Sequence, residues 1–194
     1  MVTLKTPQPQ RFSRISGLGG YRSERTVTND EIVGPINSSD EWIQQRTGIK
    51  TRHYASEDVS VVDMAEHAAI EAIANAGLKP ADIGAIVVST VTFTVATPSA
   101  AAELTRRLGT GPVPAWDISA ACAGYCYGIA QADAFVRAGT ADNVLVIGAE
   151  KLSDIIDPTD RSISFILGDG AGAVVVSASD TPGISESVWG SRSE

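Results

Sequence analysis

Apolar positions recur along the chain with two periods, and each period marks a different kind of element. From Ser60 to Ala76 the residues Val61, Met64, Ala65, Ala68, Ala69, Ala72, Ile73 and Ala76 fall at helical spacing, while Asp63, His67 and Glu71 lie four apart on the opposite side. Gly77 and Pro80 stop this amphipathic helix. Ile86 to Thr90 is a short β-branched run, hence a strand, and a second helix follows Pro98 and runs to Leu108 before Gly109. The alternation continues with a strand over Ala115 to Ser119, a helix over Ala121 to Arg137 with Gly139 as its stop, and a strand over Val144 to Gly148. Ile163 to Leu167 and Ala173 to Ala178 read as two strands joined by a glycine-rich turn, Gly168-Asp169-Gly170-Ala171-Gly172.

Ahead of this series, a short strand-like piece ends at Gly19-Gly20. Ser38-Ser39-Asp40-Glu41 then places a serine three residues before a glutamate, the pattern of a capping box. It introduces a short helix carrying Trp42 and Ile43, ended by Gly48 with Arg46 in its last turn. The order βαβαβαββ predicts an α/β fold in which helices cover a mostly parallel, mixed sheet. Residues 1–11, with Pro7 and Pro9 among polar neighbours, read as a flexible tail.

Composition narrows the function. At 194 residues and 43% hydrophobic content the chain can bury a core of domain size. Fifteen Lys and Arg against 23 Asp and Glu give a net charge of −8, which argues against nucleic acid as a partner. Two cysteines, Cys122 and Cys126, make no disulfide framework, so a reducing compartment is expected. No apolar run approaches the ~20 residues of a membrane span. A soluble, cytoplasmic protein with no membrane partner is the expectation.

The candidate chemistry centres on Cys122. In Asp117-Ile118-Ser119-Ala120-Ala121-Cys122-Ala123-Gly124-Tyr125 a strand gives way to a few small residues and a cysteine in the first turn of a helix that is apolar on nearly every face. A helix start aims unpaired N–H groups and the positive end of its dipole at that sulfur, a setting for a nucleophile whose oxyanion the same groups can hold. Spacing alone leaves open the alternative of a small buried hydrophobe. Cys126, one turn on, has no further cysteines with which to build a zinc site and reads as inert packing; no metal is expected. Trp42 and Arg46 share a helical face, with Lys50 and Arg52 close behind. An aromatic plate beside cations suits a nucleotide bearing phosphates, although a core tryptophan and a dipole-capping arginine would look the same. Gly168 to Ala173 fits the dinucleotide spacing G-x-G-x-x-G/A, but Val174-Val175-Val176 follow where that fingerprint demands a helix, so no nicotinamide cofactor is implied.

The stretch around Cys122 resembles the nucleophile segment of β-ketoacyl-acyl-carrier-protein synthase III, a condensing enzyme with a thiolase-like fold. Ser38-Ser39-Asp40-Glu41-Trp42-Ile43 with Arg46-Thr47-Gly48-Ile49, Asp157-Pro158-Thr159-Asp160-Arg161, and Gly168-Asp169-Gly170-Ala171-Gly172-Ala173 resemble the same family's motifs in the same order. The resemblance implies that Cys122 accepts an acyl group from an acyl-CoA primer and passes it to malonyl-acyl-carrier protein with decarboxylation. It implies that Trp42 and Arg161 sandwich the adenine of coenzyme A, with Arg46 beside them and Ser38 where the family often has threonine. The basic cluster would receive an acidic carrier protein. Thr97 stands where acetyl-selective members carry phenylalanine at the floor of the acyl pocket, which leaves room for a longer or branched primer.

The resemblance also implies a homodimer and a division of the chain: residues 12–178 form the N-terminal thiolase-like half, and 179–194 begin the connection to a second half. The family's catalytic histidine and asparagine, in His-Gln-Ala-Asn and Gly-Asn-Thr stretches, belong to that second half. Neither stretch occurs here. His53 reads as surface and His67 as solvated, so neither is a partner for Cys122. The alternatives are another thiolase-fold acyltransferase and a non-catalytic binding subunit.

Overall fold

The computed structural model describes residues 11–190; the expected tail falls almost wholly outside them, as do the last four residues of the connecting segment. A long strand β1 (Phe12–Arg22) leads into β2 (Arg25–Thr28), the single turn α1 (Asn29–Ile32), α2 (Asp40–Thr47) and β3 (Thr51–Tyr54). The alternating series follows as α3 (Val61–Asn75), β4 (Ala85–Ser89), α4 (Ala100–Leu108), β5 (Ala115–Ile118), α5 (Gly124–Arg137), β6 (Asn143–Lys151) and β7 (Asp169–Ser179). Five strands form one sheet in the order β1-β7-β6-β4-β5, and β2 pairs with β3 in a separate ribbon. β7 runs antiparallel to both of its neighbours, whereas β4 is parallel to β5 and β6, so four of the five strands share a direction. The expected mixed, mostly parallel sheet is what the chain forms.

Two layers of helix cover it. On one face α3 and α4 bury Met64, Leu104 and their neighbours against Ile86, Val88, Leu145 and Val175. On the other, α5 buries Ala132 and Val136 against Val87, Val146 and Val174. The alternation along β4 thus feeds both cores, which is why the strand reads as one apolar run. A third, small cluster of Ile36, Ile43 and Phe165 forms under α2.

Several elements differ from the sequence reading. The capping serine of α2 is Ser39, whose hydroxyl accepts from the Trp42 N–H at 3.2 Å. Ser38 makes no capping box; its Oγ is buried without a partner among the described residues. β1 continues past Gly19-Gly20 because β7 pairs with it as far as Arg22. Ile163 to Leu167 forms no strand: turns run through Ile166, and Leu167 is irregular. The segment's amides bond locally, Ser164 N to Asp160 O and Ile166 N to Ile163 O, so no neighbouring strand can use them.

The glycine-rich turn is not a turn either. Gly170 and Gly172 lie inside β7, paired on one side with Arg22 and Gly20 and on the other with Glu150 and Gly148. The buried Asp169 carboxylate anchors the strand's start by accepting from Ala55 N, Ser153 N and Ser153 Oγ. With backbone partners on both sides, the glycines supply a wall without side chains rather than a change of direction.

Candidate active site

Cys122 sits in a short 3-10 turn, Ala121–Ala123, that runs straight into α5, and no side chain caps the start of either element. Ala121 has φ 45, a left-handed conformation that costs an L-residue about 1–2 kcal/mol. Strain of this kind collects where a side chain must be aimed. What holds the turn down is the close approach of α5 to the sheet. A Cβ on Gly124 would fall 2.1 Å from Ser89 Oγ, and one on Gly128 would fall 2.8 Å from Val146 Cγ1. Two glycines one turn apart therefore let the helix start rest on Ser89, at the carboxyl end of β4, and on Val146 within β6, beside the edge at which α/β sheets place their ligands.

There Cys122 is exposed to a cavity of about 530 Å³. Val91, Tyr125, Leu152, Ile163 and Leu167 give it an apolar lining, and Gly170 and Gly172 form part of its wall. At Gly172 a Cβ would meet nothing within 4 Å, so the strand leaves open space there. Burial pushes the Tyr125 phenol up from its ordinary value, with a smaller push from Cys126. The phenol stays protonated at neutral pH.

One carboxylate lines the cavity. Glu150 accepts from the backbone N–H groups of Val91 and Thr92 and from the Thr92 hydroxyl at 2.7 Å, and so fixes the loop that supplies Val91. Asp117, on β5, likewise receives the N–H groups of Ala100 and Ala101 and seats the start of α4. Neither was singled out from the sequence. The signal was available, since a carboxylate ending a buried apolar strand must find donors.

The second group of expected residues forms a separate cluster. Arg46 lies 4.6 Å and Arg161 5.2 Å from the centre of the Trp42 ring, and Phe165 packs edge-on against that ring at 5.2 Å. Trp42, Arg46 and Arg161 are thus brought together from α2 and from the loop after β6. Asp157 and Asp160 stiffen that loop: their carboxylates accept from Thr159 and from Ser162, and these bonds hold both groups below the ordinary carboxylate range.

Arg52 does not join this cluster's basic surface. It is 5% exposed, and its guanidinium is turned inward to Val27 O, Asn29 Oδ1 and Phe165 O. Of the cations expected around Trp42, Arg46, Lys50 and Arg161 are exposed. Thr97 lies on an exposed loop and does not line the Cys122 cavity. Cys126, expected as packing, is exposed because no described element covers that side of α5. His67 is exposed, as expected, and stacks on Tyr21. His53, expected at the surface, is half-buried: it lies on β3 opposite Thr26, with Nδ1 2.7 Å from Ser23 O. Neither histidine lines the cavity, and no group of metal ligands occurs among the described residues. No described helix is long and apolar enough to cross a membrane.

Known proteins share this chain's sequence and fold. Residues 116–193 match the family model of 3-oxoacyl-[acyl-carrier-protein (ACP)] synthase III. The chain is 62% identical over 191 residues to the β-ketoacyl-[acyl-carrier-protein] synthase III of Kocuria rhizophila, a match that covers 98% of this chain and 54% of the relative. The chain belongs to the β-ketoacyl-[acyl-carrier-protein] synthase III family. Its fold is one half of the thiolase-like architecture. It superimposes with a TM-score of 0.90 and 44% identity on the priming β-ketosynthase of the R1128 polyketide pathway, over 94% of this chain and 55% of that one. The 3-oxoacyl-[acyl-carrier-protein] synthase III of Aquifex aeolicus gives a TM-score of 0.84 at 44% identity, over 87% and 55%. The chain spans about half the length of the synthase III relatives it matches, and it corresponds to their N-terminal portion.

Proposed function

We propose that this chain is the nucleophile-bearing half of a β-ketoacyl-acyl-carrier-protein synthase III that starts fatty-acid synthesis from an acyl-CoA primer. The observation that carries the proposal is Cys122, exposed at the uncapped start of α5 to an apolar cavity of about 530 Å³. In the first stage the Cys122 sulfur attacks the thioester carbonyl of the acyl-CoA. The oxyanion that forms faces the helix start, the carbon–sulfur bond to coenzyme A breaks, and the departing thiolate takes up a proton. An acyl group on Cys122 extends into the apolar cavity. Trp42, Arg46 and Arg161 hold the nucleotide end of the donor by stacking and charge, with Ser38 alongside.

In the second stage malonyl-acyl-carrier protein loses carbon dioxide and its carbanion attacks the acyl-cysteine. That step needs the family's histidine and asparagine, which this sequence does not contain, so a second half supplies them and the enzyme works as a homodimer. Arg46, Lys50 and Arg161 attract the acidic carrier locally, against a net charge of −8. Thr97 acts on primer length through the assembled pocket, its exposed loop reaching a site that this half does not close. An enzyme carrying Thr97→Phe is expected to shift its preference toward acetyl-CoA, and an unchanged primer profile overturns that role.

Intact-mass measurement after incubation with acyl-CoA tests the central claim. One acyl adduct is expected on the chain and none on Cys122→Ala. An adduct that survives the substitution overturns the reading, and no adduct on either chain favours a non-catalytic subunit.

A further inference from the structure

We infer that Arg52, acting through Asn29 and Asp40, is a positioning residue that fixes the distance between Trp42 and Arg161 and so sets the affinity for the nucleotide end of the acyl donor. The inference rests on the nucleotide reading proposed above. Trp42 and Arg161 stand more than a hundred residues apart in sequence and share no secondary structure, yet their spacing must suit one flat heterocycle. Something behind them has to set it.

A buried polar chain joins the two. At one end, Arg52 Nη2 donates to the carbonyl of Phe165 at 3.2 Å, and the Phe165 ring backs the Trp42 indole. Arg161 lies four residues earlier in the same series of turns. The same nitrogen donates to Asn29 Oδ1 at 2.5 Å. Asn29, 1% exposed, passes the restraint on, because its amide nitrogen donates to Asp40 Oδ1 at 2.6 Å and to Ile49 O at 2.8 Å. Asp40 opens α2 and Ile49 follows its Gly48 cap, so one asparagine grips both ends of the helix that carries Trp42. Asp40 is held from its other oxygen by Gln44 at 2.7 Å.

Stability alone does not account for a guanidinium at this place. A buried charge is costly to desolvate, and an apolar side chain of similar volume often fills such a site equally well or better. Moreover, Arg52 Nε is left buried without a partner among the described residues, so the group is not there for complete hydrogen bonding. What the planar fork supplies is two nitrogens held in one plane, Nη1 toward Val27 O at 3.3 Å and Nη2 toward both Asn29 and Phe165. Lysine, with its donors on a single atom, cannot reach all three acceptors.

The test compares acylation of Cys122 by butyryl-CoA with acylation by S-butyryl-N-acetylcysteamine, which carries the same thioester and no nucleotide. Rates are read by intact mass on the full chain, with Trp42→Ala as the reference for a lost nucleotide site. Wild type is expected to prefer butyryl-CoA. Arg52→Lys should lower that preference by about five- to fiftyfold, within the range that losing one base–aromatic stack produces, while the rate with the cysteamine thioester stays within about twofold. Asp40→Ala breaks the same chain at its surface end and should give the same ratio should Arg52→Lys fail to fold. A preference that survives both substitutions overturns the inference. So does an equal loss with both thioesters, which marks a general role in folding. A wild type without preference overturns the nucleotide reading itself, and the inference with it.

Discussion

The cavity beside Cys122 and the cluster around Trp42 are held in place by opposite means. The first is made by leaving side chains out: Gly124 and Gly128 let α5 rest on β4 and β6, and Gly170 and Gly172 keep β7 from filling the space opposite. Its geometry is that of a packed sheet and has little freedom to shift. The second is assembled from a short helix and a series of turns that touch through one guanidinium contact and one aromatic edge. Its rigidity comes from the polar chain of Arg52, Asn29 and Asp40 behind it. A reacting sulfur demands fixed placement, whereas a handle on the donor's far end needs only a set separation.

The largest effect that would break this contrast is expected at Gly124. In Gly124→Ala the new methyl would lie 2.1 Å from Ser89 Oγ, so the Ser89 hydroxyl must turn away or α5 must lift from the sheet. A loss of about 2–3 kcal/mol is expected from such overpacking, and with it a loss of Cys122 acylation. Ser89→Ala in the same chain removes the clashing oxygen and should restore part of the loss, because contacting sites couple. The remaining 3.2 Å contact with Ser89 Cβ keeps the rescue incomplete. Unfolding midpoints in urea measure both, and a Gly124→Ala chain as stable as wild type would show that helix packing does not position the sulfur.

Polar networks can be compared in the same way, since Arg107 is a second arginine that joins two elements but does so in partial contact with water. It bridges α3 and α4 through Glu66 at 2.8 Å and Asp63 at 2.5 Å, with Glu103 at 3.5 Å. Burial pushes the Asp63 carboxyl up, but bonds from Ser60 and Arg107 outweigh it and bring it down to about 2 from 3.8. A carboxyl lowered on folding stabilises the fold above its unfolded value and loses that contribution as pH falls through its folded value. Arg107→Met is therefore expected to cost about 1–2 kcal/mol near pH 7, after allowance for solvent screening. The difference from wild type should shrink between pH 4 and pH 2. A difference independent of pH over that interval would assign the effect to lost packing of the arginine stem.

These two regions also differ in how far the sequence discloses them. The helices α3, α4 and α5 and the strands between them follow from periodicity, because burial on one face or both imposes it. Cys122 at a helix start could be read for the same reason, as local order alone puts it there. Gly124 and Gly128 stood in the open at a spacing of four, a signal for close helix–sheet approach that went unused. Arg52, expected in the basic cluster beside Trp42, turns inward because its three acceptors come from residues 27, 29 and 165. No local pattern distinguishes an arginine that turns inward to distant acceptors from one that faces water. The turn expected at Gly168 to Gly172 failed likewise: glycines signal turns only until a long-range pairing, here with β1 and β6, claims their backbone.

The smallest expected effect separates adjacent serines at the start of α2. Ser39 accepts from the Trp42 N–H, and Ser39→Ala removes that cap, so a loss of about 1 kcal/mol is expected. Ser38 Oγ is buried and unpartnered among the described residues, so Ser38→Ala removes a polar atom that gains nothing from its surroundings. Stability should stay the same or rise slightly. Had the capping box begun at Ser38, as the Ser38–Glu41 spacing suggests, the two effects would be exchanged. Paired urea denaturation of the two variants decides between the registers. Because α2 carries Trp42, the register also decides which way the indole faces: a shift of one residue rotates it by about 100° around the helix, away from Arg161.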